Sequence, residues 1–182
     1  MNDDKLHIEQ FLHGEEKGFE MLVGKYQNRV LNIVYSLVGK DNESEDISQD
    51  VFLKVYHGLK SFKQQSQFST WLYRIVVNTT YDALRKRKKI IYDEEILTKS
   101  TDDRNDPKDI LFIEERETII KNALGKIPIK YRTALVLKDI EGLSYIEISR
   151  VLCCHIGTVE SRIYRARQFL KKELFNISGE LI

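Results

Sequence analysis

The sequence predicts an all-α protein: two small helical domains joined by a flexible acidic linker, the C-terminal one a helix-turn-helix. Three observations predict it. Apolar residues recur at helical spacing over long stretches, and strand-like alternation is scarce. Pro107 and Pro128 are the only prolines. Between about Tyr92 and Asp109 the stretch YDEEILTKSTDDRNDPKD breaks the periodicity and turns acidic and polar, as a mobile linker does.

The first periodic segment runs from Phe19 to Val38, with Phe19, Leu22, Val23, Tyr26, Val30, Ile33, Val34 and Leu37 on one broad face. Gly39-Lys40-Asp41-Asn42 stops it. A second helix is expected from about Ser44 to Leu59 around the stripe Ile47, Val51, Val55, Leu59, and a third from about Phe68 to Lys88. Together they make a compact helical bundle. Beyond the linker, periodicity resumes from Ile110 to about Leu124. Pro128 suits the first turn of a further helix, about Ile129 to Ile140, which ends at Glu141-Gly142.

Ser144-Tyr145-Ile146-Glu147 then has the S-x-x-E form of a capping box, in which serine and glutamate satisfy free backbone donors reciprocally. A short helix follows with Ile148, Val151 and Leu152 inward, and Gly157-Thr158 opens another. Helix, short turn and helix at this spacing form the arrangement whose second helix enters the DNA major groove. At about 100° per residue, Val159, Ile163, Ala166, Leu170 and Leu174 make one apolar stripe. Thr158, Ser161, Arg165, Gln168 and Lys172 lie opposite, flanked by Glu160, Arg162 and Tyr164. Small hydroxyls let a helix sink into a groove. Arginine can grip guanine O6 and N7, and glutamate can accept from cytosine N4. A solvated basic face would explain the arginines alone, but not capping box, turn, hydroxyls and basic face together.

The turn itself reads Cys153-Cys154-His155, a possible metal motif. Structural zinc takes four ligands at recognisable spacing, and His7, His13 and His57 lie in the distant N-terminal half. The two cysteines are therefore expected to be small packing groups in the turn, with no metal bound.

Charge supports contact with a polyanion. Net charge is +1, but residues 1–60 hold 7 basic and 11 acidic side chains and residues 61–100 hold 8 and 4. Residues 101–125 hold 4 and 7, and residues 126–182 hold 10 and 6. Two basic surfaces hide inside a neutral total. One belongs to the helix-turn-helix. The other mixes Phe68, Trp71, Tyr73 and Tyr81 with Arg74, Asn78 and the Arg85–Lys89 cluster, the stacking platforms and cations that single-stranded nucleic acid requires. Trp71 is also a natural core residue, and the basic end a natural helix terminus. On the preceding helix, Asp46, Gln49 and Asp50 form an acidic polar face.

No run of about eighteen apolar residues exists, and MNDDKLHIEQ lacks the apolar stretch of a signal peptide. Two adjacent cysteines make no disulfide framework, so the expected location is cytoplasmic. No nucleophile–base arrangement, glycine-rich phosphate loop or ligand cluster is present. Neither an enzyme, a cofactor nor a small-molecule substrate is expected.

DISQDVFLKVYHGLKSF, then FSTWLYRIVVN, an acidic linker, and IPIKYRTALVLKDIEGLSYIEISRVL followed by GTVESRIYRAR resemble a bacterial sigma factor. The match is to the extracytoplasmic-function group of the sigma-70 family, over about residues 6 to 174 and with motifs in the same order. The resemblance implies a dissociable initiation subunit of RNA polymerase. It implies residues 1–90 as sigma region 2, 91–115 as linker, 116–176 as region 4 and 177–182 as a tail. Asp46, Gln49, Asp50 and Phe52 would dock on the clamp helices of core RNA polymerase. Phe62, Lys63, Arg74, Asn78, Arg85 and Lys86 would engage the single-stranded minus-ten promoter element, with Phe62 and Asn78 matching pocket positions for a flipped base. Thr158, Glu160, Ser161, Arg162, Tyr164 and Arg165 would read the minus-thirty-five element as duplex promoter DNA. An inhibitory anti-sigma factor, in this family often membrane-anchored, is implied as a further partner, and a stress or envelope-response regulon as the target.

Three positions depart from the family pattern. Cys153 stands where a glycine is common, Glu160 where a basic residue is frequent, and Lys63-Gln64-Gln65-Ser66-Gln67 lacks the usual glycine and acidic residue. The competing reading is a stand-alone helix-turn-helix regulator, which would need a dimer seam that the sequence does not supply.

Overall fold

The computed structural model describes residues 3–39, 42–95 and 113–179, and contains no strand among them. Helix α1 (Asp3–Leu12) packs on α2 (Glu16–Val38) after a turn at Gly14, whose φ of 92° favours glycine. The crossing is close: a Cβ on Gly18 would lie 2.3 Å from the carbonyl oxygen of His7 and 2.8 Å from the nitrogen of Phe11. Asp4, buried at this crossing, accepts a 2.7 Å hydrogen bond from the Tyr26 hydroxyl and pairs with Lys25. Burial and this carboxylate raise the Tyr26 phenol's pKa above its ordinary value. An unpaired carboxylate there would cost several kcal/mol.

Helices α3 (Asn42–Leu59) and α4 (Phe68–Glu95) complete the first bundle. The expected stripe Ile47, Val51, Val55 and Leu59 is buried, against Leu22, Tyr26, Val30, Ile33, Val34 and Leu37 of α2. From α4, Phe68, Leu72, Val76 and Val77 close the core. Burying each aliphatic side chain stabilises the fold by about 1.5–3 kcal/mol. Helix α4 reaches Glu95, seven residues past the expected Lys88, so the sequence from Tyr92 to Glu95 is helix rather than linker. Residues 96–112, which hold the rest of that stretch to Asp109 and the expected start of the next helix at Ile110, lie outside the described residues.

Helix α5 (Ile113–Lys126) is followed by α6 (Ile129–Leu135), which Pro128 precedes at the N-cap, one position earlier than expected. Helix α6 runs into a π-helical turn, Val136–Ile140, closed by a bond from the Glu141 nitrogen to the Val136 carbonyl. Gly142, at φ 71°, ends it as a glycine at this place should. In α7 (Tyr145–Val151) the capping box forms: Ser144 Oγ accepts from the Glu147 nitrogen, and the Glu147 carboxylate accepts from the Ser144 nitrogen at 2.8 Å. The bond that the Ser144 hydroxyl donates to the same carboxylate at 2.7 Å, with the one from the Ser144 nitrogen, lowers the Glu147 pKa from its ordinary value. Helix α8 (Ile156–Gly179) begins one residue before the expected glycine and extends to Gly179, into the expected tail. Val159, Ile163 and Ala166 of its stripe are buried, and Leu170 and Leu174 half-buried.

The turn between α7 and α8 splits the two cysteines. Cys154 is half-buried and packs on the core, as expected of a packing group, whereas Cys153 is exposed. Cys153 takes a left-handed φ of 49°, which explains why a glycine suits the position. Among the described residues no group of three or more His, Cys, Asp or Glu is placed to hold a metal ion.

The two halves close on each other. Ala134, Val136, Leu137, Leu143, Ile148, Val151, Val159 and Ile163 join one continuous buried cluster with α2, α3 and α4. Among the described residues, four side-chain hydrogen bonds line the seam. The Tyr73 hydroxyl donates to Glu141 at 3.2 Å, and the Tyr81 hydroxyl to Thr133 Oγ1 at 2.8 Å. Arg132 Nη1 donates to the Leu37 carbonyl at 2.8 Å and Arg74 Nη2 to the Arg150 carbonyl at 2.6 Å. Arg132 also satisfies the Ile127 carbonyl, so one guanidinium ties the end of α2 to the turn after α5. A smaller cluster of Leu124, Ile127, Leu135 and Ala166 holds α5, α6 and α8 together.

Candidate nucleic-acid interface

Three surfaces carry the expected residues. On α3, Asp46, Gln49 and Asp50 are exposed and Phe52 is half-buried. Gln49 and Phe52 line a groove of about 640 Å³ between α2 and α3, together with Phe19, Val23, Leu31, Leu53 and Tyr56. Leu53 is 58% exposed, so this groove is an uncovered apolar surface rather than core. Its α2 wall was not expected to be functional, because Phe19 and Val23 fall on the same helical face as true core residues. Phe19 packs edge-on against Tyr56, with ring centroids 5.1 Å apart, which fixes one end of the groove.

The second surface is α4 with the loop before it. Phe62 is half-buried and packs on Trp71, centroids 4.9 Å apart, and on Phe68 at 6.1 Å. It lines a polar cavity of about 340 Å³ with Gln64, Gln65, Ser66, Gln67 and Phe68. Asp4, Lys5 and Ile8 of α1 form the other wall, a contribution that the sequence does not reveal. Gln64 sits at a left-handed φ of 52°, a conformation that favours glycine, in the loop that lacks the family's usual glycine. Lys63, Arg74, Asn78, Arg85 and Lys86 are all exposed. Asn78 stands on the outer face of α4 and is not among the residues lining the cavity. Arg85 pairs with Asp82 at 3.6 Å, a solvent-screened contact of little energetic weight.

The aromatics divide differently from the sequence expectation. Tyr73 is buried and Tyr81 half-buried, both with hydroxyls spent across the seam, so neither is a stacking platform in this arrangement. Burial raises the pKa of both phenols. Phe68 is core and Trp71 half-buried, packed against it. The cause is α4 itself, which is apolar on more than one side and packs against α2, α3 and α7.

On α8, Glu160, Ser161, Tyr164 and Arg165 are exposed, and Thr158 and Arg162 are half-buried. Tyr164 is 66% exposed, which no packing requirement explains. Ser161 Oγ donates back to the Thr158 carbonyl at 2.9 Å. Arg165 Nη1 donates to the Tyr131 hydroxyl at 3.0 Å. Arg167, by contrast, is engaged by Asp139 of the π turn at 2.8 Å. The six expected residues thus share one end and one side of a helix whose opposite stripe is buried.

Comparison with known proteins identifies both helical units. Residues 22–90 match Sigma-70 region 2 and residues 117–170 match Sigma-70, region 4. The ECF RNA polymerase sigma factor SigW of Bacillus subtilis is 38% identical over 179 residues, covering 93% of this chain and 96% of that protein. The RNA polymerase sigma-H factor of Pseudomonas aeruginosa is 34% identical over 180 residues, covering 94% and 93%. Among solved structures, CnrH in complex with the cytosolic domain of CnrY superposes with a TM-score of 0.74 at 26% identity, covering 96% of this chain and 98% of that one. The sigma factor RpoE in complex with the anti-sigma factor NepR from Bartonella quintana gives 0.71 at 28% identity, covering 87% and 97%. Two helical units, the first matching sigma region 2 and the second a helix-turn-helix matching region 4, define a two-region sigma-type protein. The chain belongs to the extracytoplasmic-function group of the sigma-70 family of RNA polymerase sigma factors.

Proposed function

We infer that this chain binds core RNA polymerase, recognises promoter elements and opens promoter DNA, acting by binding alone with no chemistry of its own. The observation that carries the reading is the pairing of both sigma regions, in order, with the exposed faces that each would use. Residues 1–90 would serve as region 2 and 116–176 as region 4. The apolar groove and the acidic face of Asp46, Gln49 and Asp50 would receive the polymerase. An apolar floor supplies affinity, and a charged rim supplies orientation.

Phe62, Lys63, Arg74, Asn78, Arg85 and Lys86 would capture the separated minus-ten strand. The 340 Å³ cavity offers an extruded base an aromatic wall and several amide groups, which offset the few kcal/mol that unstacking costs. Thr158, Glu160, Ser161, Arg162, Tyr164 and Arg165 would read the minus-thirty-five duplex. An anti-sigma factor is the proposed regulator, a stress or envelope response the proposed programme, and the cytoplasm the proposed location. No described helix is long and apolar enough to cross a membrane.

The deciding experiment is fluorescence anisotropy of the labelled protein titrated with bacterial core RNA polymerase, without DNA. Saturable binding that Asp50→Arg abolishes is the expected result. Absence of binding would overturn the reading in favour of a free-standing DNA-binding regulator.

A further inference from the structure

We propose that Tyr131 is a positioning residue for upstream promoter readout: its hydroxyl holds the Arg165 guanidinium in the pose that meets a guanine edge in duplex DNA. The inference rests on the reading of α8 as the minus-thirty-five recognition helix.

Tyr131 sits on α6 beside the small cluster of Leu124, Ile127, Leu135 and Ala166. Its ring stacks on Phe169 of α8, centroids 5.8 Å apart and planes 22° from parallel. Phe169 follows Arg165 by one helical turn, so both lie along the same edge of α8. The stack fixes the plane of the Tyr131 ring, and with it the phenol oxygen, 3.0 Å from Arg165 Nη1. The guanidinium carbon lies 5.9 Å from the ring centroid, and Lys130 Nζ lies 4.8 Å from it. The bond from Arg165 also lowers the phenol's pKa from its ordinary value, because the donated N–H stabilises negative charge on the oxygen.

Packing alone accounts for the ring and not for the hydroxyl. A phenylalanine would stack on Phe169 and cover Leu135 equally well. Besides Lys130 of its own helix, the hydroxyl meets an exposed arginine, a side chain that otherwise samples many rotamers and must order itself on binding. Arginine has five N–H donors, and the phenol takes one of them. The bidentate fork needed for guanine O6 and N7 remains available. Ordering the side chain beforehand reduces the entropic cost of contact and penalises a wrong base more sharply.

The test uses full-length chains assembled with core RNA polymerase, on promoter duplexes carrying every single base-pair change through the upstream element. Four proteins are compared: the unaltered chain, Y131F, R165A and the double variant. We expect Y131F to reduce discrimination at the base pair that R165A affects, by roughly three- to tenfold, with other positions and the melting temperature unchanged. In the R165A background, Y131F should have no further effect. Selectivity that Y131F alters equally without Arg165 would overturn the inference. So would Y131F leaving selectivity intact while R165A removes it, or Y131F tightening binding, which would make Tyr131 a sequestering group. If R165A itself changes no position, the base-reading assignment fails and the inference falls with it.

Discussion

The hydroxyl of Tyr73, on α4, donates a 3.2 Å hydrogen bond to the carboxylate of Glu141, just beyond the π turn of the other half. Arg29 of α2 faces the same phenol and carboxylate, so the seam carries a three-member polar cluster. Burial raises the Glu141 pKa above its ordinary value, while the Tyr73 bond and Arg29 act the other way.

Replacing Tyr73 by Phe keeps the ring and removes the donor. The closed arrangement should lose roughly 0.5–1.5 kcal/mol. Fluorophores on α3 and α8 should then report a larger fraction of separated halves. An unchanged distance distribution would show that the bond does not hold the seam.

Because the closed form raises the Glu141 pKa, it binds that proton more tightly than the open form does. Its contribution to closing is full below the ordinary carboxylate pKa and is lost as pH rises through the raised value. The same fluorophores should therefore separate as pH rises through that window, and Glu141→Gln should flatten the profile.

Two glycines of α2 should respond oppositely to alanine. Gly18→Ala places a Cβ against backbone of α1 and should destabilise by about 1–3 kcal/mol. Gly24 has nothing within 4 Å of its Cβ position, and Gly24→Ala should stabilise by up to about 1 kcal/mol through helix propensity. Thermal unfolding of both variants checks the pair, and similar shifts would contradict the close α1–α2 crossing.

Cys153→Gly should relieve the left-handed strain in the helix-turn-helix turn and stabilise by roughly 0.5–1 kcal/mol, less than the full strain because glycine also frees the unfolded chain. Cys153→Val should do the reverse. Denaturant midpoints of the two variants settle the matter, and a destabilised glycine variant would refute the strain.

The two proposed DNA surfaces should fail separately. Arg165→Ala should weaken upstream promoter binding by about 1–3 kcal/mol and relax its selectivity, whereas equal loss on scrambled duplex would mean phosphate contact alone. Asn78→Ala should impair formation of the open complex, followed by permanganate reactivity, and leave upstream duplex binding intact.

What the sequence reveals here follows how local each signal is. The α8 stripe, the capping box and Gly142 depend on residues a few positions apart, and all three stand where the pattern puts them. The two sigma regions were legible for the same reason, as dense short motifs in a fixed order. Tyr73 and Tyr81 were misplaced because their partners, Glu141 and Thr133, lie in the other half. Asp4 gave no signal at all, since a buried carboxylate near an N-terminus reads as an exposed one until Tyr26 folds over it. The π turn is invisible in Val136–Ile140, whose composition is that of an ordinary helix, yet its bond from Glu141 back to Val136 spans one residue more than an α-helical bond. The wall that Phe19 and Val23 give the groove is not distinguishable from core in the sequence, because periodicity marks an apolar face and does not say what covers it.

The shared buried cluster sets the terms on which partners compete. A partner that needs the halves apart meets only the fraction of molecules already separated, and its apparent affinity falls by that fraction. A separated population of about one per cent would weaken it about a hundredfold with no contact altered. A partner that fits the joined form incurs no such reduction. A ligand that selects the joined form can therefore hold its own against an intrinsically tighter one that needs the halves apart, and mutations deep in the seam, touching neither ligand, would tilt the contest between them.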